Sequence, residues 1–272
     1  MLQRHANVVL VAKREVASMS NRTGAYQPKT RLFVDAPTLA PGMGVTLDAK
    51  QTHYLKAVLR MEAGARLLLF NGHDGEWQAR VERLAKKDGL VQVEQQSQAQ
   101  ERVPDLWLCF APIKRDRVDY LVEKATELGV AHLQPVITQR TIAERVNIAR
   151  LRAHAVEAAE QCGRTHVPQI AEPLRLDQLL GDWPAARRLM FCDEMRQGPA
   201  ARQALGQADS QPATKPWAIL TGPEGGFALG ERQAIAAHQA AVPVHLGPRI
   251  LRADTAALAA IALWQAVLGD WS

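Results

Sequence analysis

Cysteine is scarce in this chain of 272 residues: Cys109, Cys162 and Cys192 stand far apart, with no CxxC pair and no Cys/His cluster at zinc spacing. That spacing argues against a disulfide framework or a structural zinc, and a reducing cytoplasm is the expected compartment. Long apolar runs are missing too. The longest near-continuous one, Ala256 to Leu268, is broken by Gln265 and falls short of the roughly 20 residues a membrane span needs. No membrane partner is expected, and this segment reads as a helix buried on most sides. Ser and Cys nucleophile motifs are absent, which leaves covalent catalysis unsupported. His53, His132, His154, His166, His238 and His245 form no ligand set or triad, so no metal is expected.

What is present is ordinary globular composition, 47% apolar and 22% charged, with a formal charge of +5 that suits a polyanionic partner. The length is compatible with two domains. Residues 1–30 carry five Lys/Arg and one acid and are expected to be a disordered extension, with Met19 a candidate true start. Residues 31–95 show short β runs (Arg31 to Val34, Ala65 to Phe70, Glu76 to Arg83, Leu90 to Glu94) between Gly-containing turns, interrupted by a helix that Asp48 caps. This predicts a small β-barrel domain. Residues 96–104 are polar and without periodicity and are expected to be the linker.

Residues 105–272 alternate strand and helix. Strands are expected at Leu106 to Ala111, Leu133 to Ile137 and Leu189 to Cys192; helices begin at Asp116 and span Ile148 to Cys162, with Gly129 and Gly163 as stops. Gln197 to Pro216 is expected to be an unordered loop. The alternation predicts a mostly parallel sheet covered by helices. Near the end, the apolar run Trp217 to Leu220 empties into Gly222-Pro-Glu-Gly-Gly226, and Val242 to Leu246 empties into Gly247-Pro248. Ligands sit outside the carboxyl ends of strands in such sheets. The first loop lacks both the dinucleotide and the triphosphate spacing, so a nucleotide-like ligand would be read by bare backbone, which glycines let come close.

Cations flank these loops. Arg249 and Arg252 follow Gly247, with Asp254 or Thr255 able to cap the next helix. Lys114, Arg115 and Arg117 crowd a helix start, where the dipole disfavours them, which hints at an anionic partner. Arg164 ends the helix Ile148 to Cys162 and either stabilises its carbonyls or grips a phosphate or base.

Leu220-Thr-Gly-Pro-Glu-Gly-Gly226, Leu246-Gly-Pro-Arg-Ile-Leu-Arg252 with Asp254-Thr255-Ala256, Glu160-Gln-Cys-Gly-Arg164 and Lys124-Ala-Thr-Glu-Leu-Gly129 together resemble the RsmE family, the uridine N3-methyltransferases of 16S ribosomal RNA in the small subunit. The likeness runs in order from about Arg31 to Asp270, with Arg31-Leu-Phe33 and His53 to Arg60 fitting the family's N-terminal domain. It implies a PUA-like β-barrel for RNA and a SPOUT-type domain, a mostly parallel sheet with helices on both faces whose C-terminal segment threads a trefoil knot. It also implies a homodimer and S-adenosyl-L-methionine as cofactor. Leu220, Gly222, Gly225, Leu246, Gly247, Ile250, Leu251 and Thr255 would line the cofactor pocket, and Ala256 to Leu268 would lie at the dimer interface.

Lys114, Arg115, Arg117 and Arg164 are the expected RNA contacts. For catalysis the expectation is Arg252 or Arg164 stabilising charge on the target base, and Glu224 or Asp254 accepting its proton. The family usually has Glu where this chain has Asp254. Alternative readings are a SPOUT methyltransferase acting on another RNA site and a non-catalytic RNA-binding assembly factor.

Overall fold

The structure is a computed structural model and describes residues 30–86, 88–142, 145–208 and 215–271, the side chain of Arg115 excepted. The N-terminal extension expected over residues 1–30 lies, save for Thr30, outside the described residues.

The first part of the chain forms a five-stranded sheet. Strand β1 (Arg31–Phe33), β2 (Gly44–Leu47), β3 (Arg66–Phe70), β4 (Glu76–Leu84) and β5 (Gly89–Gln98) lie in the order β1-β3-β4-β5-β2. All pairs are antiparallel except β1 with β3. Alternation along the strands buries Leu67 and Leu69 of β3, Ala79 and Val81 of β4, and Val91 and Val93 of β5 in one core. Helix α1 (Ala49–His53) starts at Asp48, whose side chain accepts the Gln51 N–H while Gln51 returns the bond. It continues as a wider π-helical turn, Tyr54–Val58.

β5 runs on to Gln98, past the Glu94 expected as its end, because the nine residues of β4 still offer partners: Trp77 pairs Gln96 and Glu76 pairs Gln98. The residues that follow are held as well. The Glu101 N–H donates to Thr165 Oγ1, and its carboxylate accepts from His166 N–H and Arg164 Nε.

The second part is built on a seven-stranded sheet: β6 (Leu106–Phe110), β7 (His132–Ile137), β8 (Gln169–Ile170), β9 (Leu174–Arg175), β10 (Arg188–Cys192), β11 (Trp217–Thr221) and β12 (Ala241–Val244). Their order is β12-β10-β11-β6-β7-β8, with β9 also on β7, and every pairing is parallel. Successive side chains point to opposite faces, and each face is covered. Leu106, Leu108, Met190 and Ile219 meet α2 (Arg115–Glu127), α3 (Ile148–Cys162), α5 (Ala201–Ala208) and α7 (Ala253–Leu268). Cys109, Leu189, Phe191, Ala218 and Leu220 meet α4 (Leu176–Gly181), Phe227 and α6 (Leu229–Ala237). The expected sheet with helices on both faces is therefore present, and β11, buried at all five positions, lies between β10 and β6.

Part of the segment expected to be an unordered loop is helix α5. Ala201, Ala204, Leu205 and Ala208 recur at helical spacing and are buried against α7. Small residues gave that face little apolar weight in the sequence. Helix α7 also begins earlier than expected, at Ala253, with Arg252 at its N-cap and no side-chain cap.

The two parts meet through Arg31. Its guanidinium pairs with Glu76 at 2.6 Å and donates to the carbonyls of Ala159, Glu160 and Arg164 at the end of α3, while Glu160 accepts the Phe33 N–H.

Candidate functional site

In a parallel sheet all strands end on the same edge. The loops after β6, β10, β11 and β12, four adjacent strands, therefore converge. The β11 loop, Gly222 to Gly226, is shaped by its own packing. A β-carbon on Gly222 would lie 2.8 Å from the Phe227 ring, and Gly226 sits at φ +66 with the Glu194 carboxylate 2.7 Å from where its β-carbon would be. Gly225 has room by comparison, with only Arg140 nearby at 3.5 Å.

In the β12 loop Gly247 has φ +109, which an L side chain adopts only under strain, and open space beside it; its N–H donates to His245 Nδ1. Arg196, from the β10 loop, donates to the Pro248 carbonyl at 2.9 Å. The fixed backbone of both loops, with open space at Gly247 and an 87% exposed Ile250 beside it, fits a flat ligand read by main-chain groups.

Beside these loops lies a cleft of about 930 Å³ lined by Pro112, Ile113, Lys114, Arg117, Val118, Ile142, Arg145, Val146, Asn147, Arg150, Leu151, Glu224 and Arg252. Four expected site residues, Lys114, Arg117, Glu224 and Arg252, share it. The N-termini of α2 and α3 both open here, at N-caps Lys114 and Asn147, and among the described residues their dipoles add to five cationic side chains against one lining carboxylate. Arg117 is held by Asp254 at 3.2 Å, and Arg150 by a two-pronged pair with Asp119, Nε to Oδ1 at 2.9 Å. Lys114, Arg145, Arg252 and Glu224 have no ion-pair partner among the described residues.

Several expectations need correction. Arg164 is turned inward: 7% exposed, it donates to the Thr126 and Val130 carbonyls at the end of α2 and to Glu101, so it fastens a helix end rather than facing a ligand. Asp254 is committed to Arg117 and to the Thr255 N–H, which makes it a poor proton acceptor. The Leu220 side chain is fully buried with Phe227, so only its main chain could border a ligand. Leu246 and Leu251 are half-buried and Thr255 is exposed on the first turn of α7. The side chain of Arg115 lies outside the described residues. Sequence reasoning missed Arg145 and Arg150, although cations at a helix start, the signal that marked Lys114, are also present at α3.

Comparison with known proteins places both parts of the chain in one family. Residues 100–265 match the RNA methyltransferase domain, and residues 47–94 match the RNA methyltransferase PUA domain. Fold and cleft thus define an RNA methyltransferase carrying a PUA domain. Ribosomal RNA small subunit methyltransferase E of Rickettsia conorii is 32% identical over 210 residues, 77% of this chain and 84% of that protein. Its namesake in Synechocystis sp. is 33% identical over 240 residues, 87% of this chain and 77% of that protein. The crystal structure of ribosomal RNA small subunit methyltransferase E from Neisseria gonorrhoeae bound to S-adenosyl methionine superposes with a TM-score of 0.77 at 28% identity, covering 89% of this chain and 99% of that one. The chain belongs to the ribosomal RNA small subunit methyltransferase E family, and its parallel domain is of the SPOUT type.

Proposed function

We propose that this chain methylates N3 of a uridine in 16S ribosomal RNA of the small subunit, using S-adenosyl-L-methionine, and that it does so as a homodimer whose C-terminal segment is knotted. The observation that carries this reading is the meeting of the two glycine loops with one basic cleft that holds both Arg252 and Glu224. S-adenosyl-L-methionine supplies, when bound, an electrophilic methyl group that needs no activation beyond placement. Main-chain groups of Gly222, Gly225, Leu246, Gly247, Ile250 and Leu251 would hold it.

The remaining work falls to side chains. Uridine N3 must lose its proton before it can act as a nucleophile, and the charge left behind spreads onto O2 and O4. Arg252, with no ion-pair partner among the described residues, stabilises that charge and so lowers the effective pKa of the base. Glu224, the one carboxylate lining the cleft among the described residues, accepts the proton directly or through water. Lys114, Arg117, Arg145 and Arg150 hold phosphates on either side of the target.

The barrel offers a second RNA contact: Tyr54, Val58 and Leu59 are exposed beside Lys56 and Arg60, the latter at φ 55, and no acid lies between Ala49 and Met61.

Transfer of labelled methyl groups to small-subunit particles tests the proposal. Arg252→Ala keeps the fold and cofactor affinity and loses about 100-fold or more in turnover; wild-type turnover in that variant removes the role of Arg252.

A further inference from the structure

The turn that follows β7 is fastened at two points, one on the glycine loop and one on the first turn of α6. Arg140 Nη1 donates to the Gly225 carbonyl at 2.7 Å. Glu231, in the first turn of α6, accepts the Gln139 N–H at 2.7 Å with one oxygen and the Ala228 N–H at 3.0 Å with the other. The turn is itself closed, since Thr138 N–H donates to Thr141 Oγ1 at 3.0 Å and the two hydroxyls lie 2.9 Å apart. Just beyond it, Ile142, 83% exposed, and Arg145 form part of the cleft wall. One short segment therefore touches the loop expected to hold the cofactor with one residue and faces the expected RNA cleft with others a few positions on.

Arg140 is exposed, and a charge-assisted bond between exposed groups contributes little to global stability. What it does is fix the carbonyl of an exposed glycine, beside whose β-carbon position only the Arg140 side chain lies. Resting on the function proposed above, we infer that Arg140 is a positioning residue that couples the two sites. A phosphate drawn to Arg145 restrains this segment further, the Arg140 bond that holds Gly225 opens less often, and the entropy cost of cofactor binding falls. By linkage the bound cofactor strengthens RNA binding by the same factor.

Calorimetry with S-adenosylhomocysteine, which carries no methyl group to transfer, tests the coupling on the full chain, alone and with a short uridine-containing single-stranded RNA. The wild-type protein should bind about fivefold more tightly in the presence of RNA, a modest coupling factor. Arg140→Ala should lose that enhancement and raise KM for the cofactor more than KM for RNA, at an unchanged melting temperature. Arg140→Lys, still able to reach one carbonyl, should recover most of both. Absence of coupling in the wild type, or full coupling in Arg140→Ala, overturns the inference, as does a loss in Arg140→Ala that merely follows a lower melting temperature. If coupling is present but no methyl reaches ribosomal RNA, the proposed function fails while the link between the sites stands.

Discussion

Asp254 occupies the position where the resembled family usually has glutamate, and its carboxylate is the anchor of Arg117. The shorter acid still reaches, so the charge that matters is the one it steadies rather than its own. Asp254→Ala should free Arg117 and raise KM for RNA about fivefold, roughly the ~1 kcal/mol of a partly exposed pair, with cofactor affinity unchanged; Asp254→Glu should restore it, and steady-state kinetics separate the cases. Asp193 is a different kind of carboxylate. Burial pushes its pKa up, but Arg232 at 2.8 Å and the N–H groups of Gln197 and Met195 outweigh that and hold it below the ordinary 3.8. A lowered folded-state pKa means stability that is present above 3.8 and lost as pH falls through the folded value. Asp193→Asn should therefore be less stable at pH 7, by about 3 kcal/mol for a broken buried pair, and denaturant titrations should show the gap closing below pH 3.8.

Among the elements, the β11 loop is the one most tightly defined by its neighbours. Gly222→Ala would press a methyl group into the Phe227 ring and should cost about 1–3 kcal/mol. Phe227→Leu in the same chain should return part of it, measured by chemical denaturation. This loop was legible in the sequence because glycines, proline and the preceding apolar run are local signals. So was α3, whose span and Gly163 stop match the spacing of its apolar residues. Helix α5 was hidden because alanine is a weak marker of a buried face. Arg164 was misread for another reason: a cation at a helix end is visible in sequence, but that it fastens α2 rather than its own helix is settled only when the two pack together. Arg117 with Asp254, and Arg140 with Gly225, lie 137 and 85 residues apart, so no local pattern announces them.

For the whole molecule, the joint between the domains rests heavily on Arg31, 11% exposed, which pairs Glu76 and caps α3. Arg31→Ala would leave Glu76 and several helix-end carbonyls poorly satisfied. Differential scanning calorimetry should then show two separated transitions where the wild-type protein shows one, and particle binding should weaken because the barrel no longer keeps a fixed bearing on the cleft.

The order of the parallel sheet sets a schedule for synthesis. Strand β11 is flanked by β6, which precedes it by about 110 residues, and by β10, while β12 joins on the far side of β10. The sheet therefore stays split until Trp217–Thr221, about four-fifths of the way along the chain, has left the ribosome. Folding dominated by such distant pairings is slow, and the split sheet exposes open strand edges in the meantime. A nascent chain stalled before Trp217 should be far more sensitive to protease in its parallel domain than in its barrel, whose strands are all complete by Gln98.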